Sequence, residues 1–142
     1  MKFPQKYRIE GEFNLLSGRK SNLFYDIEQM LLDPFYLHYI ADNIPFSRHY
    51  VGILTGGLMM AQAAHMKYRD SRLSYVKKDN AFVGQKPEGD WMLIDDVVTT
   101  GGSLIKAISL AESHPKRIFV AVDRRDEKEK IRGIEIETLF EI

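Results

Sequence analysis

The segment that most constrains the fold is Trp91–Ser103, which reads WMLIDDVVTTGGS. Its first four residues are apolar and predict a short buried strand. Two acidic residues, Asp95 and Asp96, follow this strand, and the run Thr99–Ser103 predicts the start of a helix. A buried strand that passes within a few residues into a helix is typical of a parallel sheet covered by helices.

The rest of the chain repeats this alternation of strands and helices, and 142 residues are enough for one domain. We therefore expect a single α/β domain with a mostly parallel twisted sheet flanked by helices, and ligands bound where the strands end. Further strands are predicted at Leu23–Ile27, Tyr50–Leu54, Leu73–Val76, Arg117–Val122 and Ile134–Leu139; helices at Pro34–Asp42, Leu58–Tyr68, after Thr99 (with Leu104, Ile105, Ile108 and Ala111 facing inward) and at Arg124–Ile131; a turn at Leu15–Lys20; and a long loop at Lys77–Asp90.

The acidic pair and the glycine-rich run together indicate a site for a phosphorylated sugar. Adjacent carboxylates repel each other, and either a cation or hydroxyl donors of a ligand, such as those of a vicinal diol, would relieve that repulsion. The free N–H groups of a helix start, approached closely because glycine has no Cβ, suit a phosphate. Taken alone, Thr99–Ser103 is equally compatible with a capped helix after a turn. A ribose 5-phosphate has the spacing of groups that the whole segment requires.

Composition excludes several other classes of protein. Lys and Arg together number 20, as do Asp and Glu, so no excess of positive charge favours nucleic-acid binding. The chain has no cysteine, which excludes thiolate chemistry and Cys-type zinc sites and favours a cytoplasmic protein. No apolar run is long enough for a signal peptide or a membrane span. The histidines are scattered without ligand spacing, so we expect no histidine metal site: they are His38, His49, His65 and His114.

The segment Trp91–Ser103 resembles the phosphoribosyl diphosphate (PRPP) signature of the type I phosphoribosyltransferases, in which an apolar strand, two acidic residues and a Thr/Gly-rich loop follow one another. More of the chain is similar to the orotate branch of this family. Glu12–Asp26 resembles its N-terminal substrate segment, and Val122–Arg125 resembles its V-D-R stretch. The resemblance implies a small N-terminal hood at about residues 1–30 and a PRPP-binding core at about 31–142.

The resemblance implies transfer of 5-phosphoribose from PRPP to orotate, with release of diphosphate. Asp95 and Asp96 would contact the ribose hydroxyls. Mg²⁺ would neutralise the diphosphate, held mainly through substrate oxygens and waters with the same two aspartates as candidate protein contacts. The residues that would bind PRPP are Thr55, Gly56, Gly57, Asp95, Asp96, Val98, Thr99, Thr100, Gly101, Gly102 and Ser103.

On the acceptor side, the resemblance implies that Phe24, Tyr25, Thr99 and Arg124 bind orotate. Arginine can pair with a carboxylate through two parallel hydrogen bonds, which selects for an acidic base. Arg19 and Lys20 would steer anions toward the site. Two positions depart from the family, because Gly56 and Leu16 stand where relatives often carry lysine.

The largest departure is Lys77–Asp90, which corresponds to a longer mobile lid in relatives. Lys77 and Lys78 match the basic pair at the start of that lid and are the candidate catalytic lysines, reaching across a homodimer. Ala81 falls where the main catalytic lysine is expected, and Lys86 is a candidate replacement. A shorter lid excludes water less well from the site.

Two other functions stay open at this point. One is the same reaction with another base, such as uracil or a purine. The other is a regulatory protein that binds PRPP without turnover, which the short lid and Gly56 favour.

Overall fold

The fold is described from a computed structural model, which covers residues 1–14, 18 and 20–142. Its strands are β1 Arg8–Asn14, β2 Lys20–Tyr25, β3 His49–Ile53, β4 Arg72–Val76, β5 Phe82–Val83, β6 Met92–Val98, β7 Arg117–Asp123 and β8 Ile136–Thr138. Its α-helices are α1 Ile27–Leu31, α2 Pro34–Asn43, α3 Gly56–Lys67 and α4 Gly102–Ala111, and a single 3₁₀ turn covers Gln5–Tyr7.

Six strands form one sheet in the order β5-β4-β3-β6-β7-β8, in which only the pairing of β4 with β5 is antiparallel. This confirms the predicted α/β class with a mostly parallel sheet. Along the chain, β4 is added on one side of β3 and β6 on the other. Chain direction across the sheet therefore reverses between β3 and β6, and the carboxyl ends of these two strands open a crevice for a ligand.

Alternation along the strands sends side chains to two separate cores. Met92 and Ile94 on β6 pack with α3 residues such as Met60, whereas Leu93 packs with α4 residues such as Leu104. The sheet is therefore buried on both faces, as parallel sheets usually are.

The N-terminal segment packs on the core as a small hairpin of β1 and β2. Phe3 links it to the core, because its ring contacts Tyr25 edge-on at 5.0 Å and Phe140 at 5.7 Å between centroids. Asp26 donates its N–H to the carbonyl of Tyr7 and caps α1 with its side chain, so the predicted strand Leu23–Ile27 ends earlier, at Tyr25. Most of the predicted turn Leu15–Lys20 lies outside the described residues, and strand β1 was not predicted.

The helix start at Asp33-Pro34 is confirmed, since the Asp33 side chain accepts the Phe35 N–H at 3.0 Å and α2 follows. The predicted helix at Arg124–Ile131 is wrong, because this segment contains no helix. Side chains of this segment donate hydrogen bonds to backbone carbonyl oxygens instead. Arg125 donates to the Glu129 carbonyl, and Lys128 donates to the carbonyl of Asp123, just before the segment, at 2.8 Å.

Three smaller predictions also need correction. The predicted strand Trp91–Ile94 continues to Val98, so the acidic pair lies inside β6 rather than after it. Ile105 lies on the exposed side of α4 instead of facing inward. The predicted strand Ile134–Leu139 is limited to β8, because Ile134 pairs with Ile131 across a turn.

The predicted loop Lys77–Asp90 contains strand β5. A tight turn, closed by a hydrogen bond from the Lys77 N–H to the Ala81 carbonyl at 2.9 Å, leads directly into β5. The chain then returns along the edge of the sheet, where Ser74 Oγ donates to the Gln85 carbonyl at 2.6 Å.

Candidate active site

The end of β6 carries the two acidic residues predicted to bind a ribose. Asp95 is 6% exposed, and its Oδ1 accepts the Asp96 N–H at 2.8 Å. Asp96 is half-buried, and its Oδ1 accepts the Val97 N–H at 2.7 Å. These local hydrogen bonds use one oxygen of each carboxylate, and the two carboxylates also lie close enough for their side chains to interact.

Burial raises the pKa of Asp95 well above its ordinary value, and the neighbouring Asp96 raises it further. The protonated form of Asp95 is therefore favoured. Hydroxyl donors or a cation at this point would lower the pKa of Asp95 again. Perturbed carboxylates in a cleft are a common feature of functional sites.

The loop that follows β3 packs tightly against the acidic pair. A Cβ atom added to Gly56 would lie 2.5 Å from Asp96 Oδ2, and one added to Gly57 would lie 2.6 Å from the Ile94 carbonyl oxygen. The Leu54–Thr55 peptide bond in this loop is cis. Glycine at positions 56 and 57 is therefore a steric requirement for bringing the start of α3 onto the end of β6.

The glycine-rich loop Thr99–Ser103 turns β6 into α4. Gly101 has a φ of 93°, in the left-handed region that favours glycine, and precedes the first residue of the helix. The Gly102 N–H points back to Thr100 Oγ1 at 3.3 Å. Because N–H groups of the first helical turn have no carbonyl partner within the helix, this loop presents donors to an anion.

Arg124 lies beside the hairpin, at the end of β7. Its N–H donates to the Val98 carbonyl at 2.8 Å, which ties the end of β7 to the end of β6. Its guanidinium lies 5.2 Å from the centre of the Tyr25 ring and donates to the Leu23 carbonyl at 3.3 Å. Phe24 is 37% exposed, whereas Tyr25 is buried against Phe3.

An ion cluster just behind Arg124 holds the chain in place. Arg125 donates two hydrogen bonds to the Asp123 carboxylate, at 3.0 and 2.9 Å, and both side chains are nearly buried. Lys128 lies 3.6 Å from the same carboxylate. Burial alone would raise the pKa of Asp123, but the hydrogen bonds from Arg125 outweigh it and lower the pKa below its ordinary value.

One cavity of about 440 Å³ collects these groups. It brings together the predicted residues Phe24, Tyr25, Asp95, Asp96, Val98, Thr99, Thr100, Gly101, Gly102, Ser103 and Arg124. It also includes residues that the sequence analysis missed, namely Asn14, Asp26, Ile27, Glu28, Leu54, Val97, Leu104 and Lys106. Of these, Lys106 could have been predicted from the sequence, because it lies three residues after Ser103 and therefore on the same face of the helix.

Five predicted residues do not line this cavity. Thr55, Gly56 and Gly57 lie beside it, since Leu54 lines it and Gly56 faces Asp96. Lys77 and Lys78 are exposed in the turn that follows β4. The structure therefore leaves both lysines outside the cavity of their own chain.

Lys86 does not replace the expected lid lysine. Its ammonium group donates to the Leu110 carbonyl and lies 3.8 Å from Glu112, at the end of α4. Because α4 begins at the carboxyl edge of the sheet, its end lies at the opposite edge. Arg19 and Leu16 lie outside the described residues.

Two further observations concern ions and membranes. Within the described ranges, no three side chains of the metal-binding types come together as a metal site. No helix in the part of the chain that the structure covers could cross a membrane, since the longest, α3, has 12 residues.

Solved structures with the same fold include several phosphoribosyltransferases. The crystal structure of orotate phosphoribosyltransferase from Aeropyrum pernix has a TM-score of 0.79 and 25% identity, covering 96% of this chain and 88% of that one. An adenine phosphoribosyltransferase from Thermoanaerobacter pseudethanolicus shares the fold with a TM-score of 0.72 at 15% identity, covering 94% of this chain and 96% of that one. The architecture is that of the type I phosphoribosyltransferases.

Curated relatives narrow this class. Orotate phosphoribosyltransferase from Methanocaldococcus jannaschii is 32% identical, over 93% of this chain and 87% of the relative. The enzyme of the same name from Pyrococcus abyssi is also 32% identical, over 82% of this chain and 74% of its own length. No protein-family model matches the chain. At this identity and coverage, the chain belongs to the orotate phosphoribosyltransferase family.

Proposed function

We propose that the chain transfers the 5-phosphoribosyl group of PRPP to orotate, forming orotidine 5'-monophosphate and diphosphate, a step of pyrimidine biosynthesis. The observation that carries this proposal is the single cavity in which the acidic strand end, the glycine-rich helix start and Arg124 meet. The names of the relatives support the same reaction. The hood at about residues 1–30 supplies Phe24 and Tyr25 to the acceptor, and the core at about 31–142 supplies the donor groups together with Thr99 and Arg124.

On the donor side, the loop Thr99–Ser103 binds the 5-phosphate through backbone N–H groups and hydroxyls. The carboxylates of Asp95 and Asp96 accept hydrogen bonds from the two ribose hydroxyls, in addition to those from the backbone. Backbone N–H groups of Thr55–Gly57 bind the diphosphate. Together these contacts hold the ribose by four of its substituents, so that its anomeric carbon faces the acceptor.

The reaction breaks the bond between the anomeric carbon and the diphosphate oxygen, and the bonding electron pair leaves with diphosphate. The new bond forms between that carbon and a ring nitrogen of orotate, and the proton of that N–H passes to the departing diphosphate or to water. Because the transition state resembles a ribosyl cation, the anionic pair at the end of β6 stabilises it without a protein nucleophile. Asp95 or Asp96, together with substrate oxygens and waters, would hold Mg²⁺ here, and the ion would neutralise the charge of the diphosphate.

On the acceptor side, Arg124 pairs with the orotate carboxylate. The Tyr25 ring and the Leu23 carbonyl restrain its guanidinium on the side of the cavity that faces the hairpin. Phe24 and Tyr25 supply apolar surface for the pyrimidine ring, and Thr99 supplies a hydroxyl. An acidic base is favoured over uracil because a guanidinium can pair with a carboxylate through two parallel hydrogen bonds.

Lys77 and Lys78 act on the site of a second copy in a homodimer. The support for this is that both side chains are exposed and lie outside the cavity of their own chain. Light scattering under turnover conditions tests it, since a monomer would contradict the arrangement. The cytoplasmic location stays a prediction from the sequence.

Turnover is tested by mixing the protein with PRPP, Mg²⁺ and orotate and following the loss of orotate absorbance, with uracil and purine bases in parallel. We expect activity with orotate alone and none when Asp95 and Asp96 are both changed to asparagine. Binding of PRPP without turnover of any base would instead favour a regulatory protein. Undiminished orotate turnover in the double variant would contradict the role of the acidic pair.

A further inference from the structure

Lys106 lines the donor side of the cavity, and none of the predictions made from the sequence included it. It lies in the second turn of α4 and is exposed. Across the described part of the chain it has no hydrogen bond or ion pair, unlike Lys86, Lys67 and Lys128. Its charge is therefore not neutralised within the described chain.

Helix geometry brings the end of this side chain close to the glycine-rich loop. Residues three apart share a helix face, so Lys106 lies one turn behind Ser103. Side chains on a helix slope toward its N-terminus, which directs the Lys106 ammonium group over the first turn of α4. Its helix neighbours at three and four residues are Gly102, Ser103, Ser109 and Leu110, none of which is acidic.

The charges that line the cavity show why a cation matters at this point. Four lining residues are acidic, namely Asp26, Glu28, Asp95 and Asp96, and only two described lining residues are cationic, Arg124 and Lys106. Arg124 lies on the acceptor side, against Tyr25. Gly56 has no side chain that could bring a charge to the diphosphate loop, and even a Cβ at that position would collide with Asp96. Among the described lining residues, Lys106 is thus the cation on the donor side that can neutralise the charge of a phosphate.

We propose that Lys106 binds the 5-phosphate of PRPP, with its ammonium group donating to phosphate oxygens at the start of α4. This inference rests on the proposed function and adds a residue to it. A lysine near a helix N-terminus is unfavourable by itself, because the helix dipole is positive there. A bound phosphate is negatively charged and makes the start of α4 favourable for a cation. The ammonium group of Lys106 is therefore stabilised there only when the substrate is present.

Calorimetry with ribose 5-phosphate tests this directly, since that ligand carries the 5-phosphate and the diol but no diphosphate. The variants are Lys106→Ala, Lys106→Arg and the matched control Lys116→Ala. Lys116 is equally exposed but lies at the opposite edge of the sheet, where its N–H donates to the Trp91 carbonyl. Thermal unfolding of each variant confirms that it is folded.

We expect Lys106→Ala to bind ribose 5-phosphate and PRPP about 5- to 20-fold more weakly, as for the loss of one exposed charge-assisted hydrogen bond. Lys106→Arg and Lys116→Ala should bind both ligands like the wild type, and binding of magnesium diphosphate should not change. The loss should shrink when salt is raised from about 0.05 to about 0.5 M, because the contact is screened.

Wild-type affinity for ribose 5-phosphate in folded Lys106→Ala would overturn the inference and leave the proposed function standing. An equal loss of ribose 5-phosphate and diphosphate binding would also overturn it, because the contact would not then be specific to the 5-phosphate. Failure of the wild type to bind PRPP would refute the proposed function, and this inference with it.

Discussion

Gly101 and Gly102 are neighbours in the glycine-rich loop, yet the structure assigns them different roles. Gly101 is buried with a φ of 93°, and an added Cβ would lie 2.8 Å from Ile131 Cδ1. Gly102 is exposed at the first position of α4, where an added Cβ would meet only Thr100 Oγ1, at 3.5 Å. Alanine should therefore be harmful at position 101 and tolerated at position 102.

For Gly101→Ala, the left-handed backbone costs about 1–2 kcal/mol and the crowding against Ile131 about 1–2 kcal/mol more. The free energy of unfolding should thus fall by about 2–4 kcal/mol. A chain of 142 residues has an unfolding entropy of about 0.3 kcal/mol per kelvin, so Tm should fall by about 7–13 °C. Gly102→Ala should leave Tm unchanged or raise it by about 1–3 °C, because alanine is the better helix former.

Differential scanning calorimetry measures Tm, and titration with PRPP measures binding. Gly101→Ala should also weaken PRPP binding, since relieving the strain moves the N–H groups at the start of α4. Gly102→Ala should keep PRPP binding and serves as the control. Equal Tm values for the two variants, or full PRPP affinity in Gly101→Ala, would refute the reasoning about the loop.

Three further substitutions test the charges of the site. Since the pKa of Asp95 is raised, folding favours its protonated form, so wild-type stability should fall as the pH rises from the ordinary aspartate range toward the raised pKa. Asp95→Asn should abolish that decline in urea unfolding, and an unchanged pH profile would contradict the raised pKa. Arg125→Met should lower the free energy of unfolding by about 1–3 kcal/mol at neutral pH, because the buried Asp123 carboxylate loses its two hydrogen bonds from Arg125 and keeps only the exposed Lys128, 3.6 Å away. Because the pKa of Asp123 is lowered, the difference in free energy of unfolding between the wild type and Arg125→Met should narrow as the pH falls through that pKa. A difference that does not depend on pH would contradict the pairing of Asp123 with Arg125. Arg124→Ala should raise the KM for orotate by about 10-fold or more without changing the KM for PRPP, and Arg124→Lys should restore only part of it; steady-state kinetics with an unaltered orotate KM would exclude the proposed contact.

Much of the donor side was predictable because its residues are contiguous. The apolar run, the acidic pair and Thr99–Ser103 follow one another in a single strand-to-helix unit, and each part has its own local signature. The length of β6 was not predictable in this way. Its last residues, Asp95 to Val98, are paired with β7, and that pairing extends the strand beyond the apolar run.

The segments that were mispredicted depend on contacts with distant or side-chain groups. The charged run after Arg124 has the composition of a surface helix, but Arg125 and Lys128 bond to Asp123 and to backbone carbonyls instead. The segment that was compared to a lid is held along the sheet edge by Ser74, and Lys86 is drawn to the far end of α4. Ser74 and the end of α4 are distant in sequence, and the contacts to Asp123, although local, are not visible in the hydrophobic periodicity.

The sequence by itself determined the class of the fold and the chemistry of the donor side, because hydrophobic periodicity and the Trp91–Ser103 segment act over short distances. Only the tertiary structure decided which groups share the cavity. The strand order places β3 next to β6 and so sets Gly56 against Asp96, while the packing of the hairpin brings Tyr25 to Arg124. Such contacts arise from the burial of both faces of the sheet, which depends on the whole chain at once.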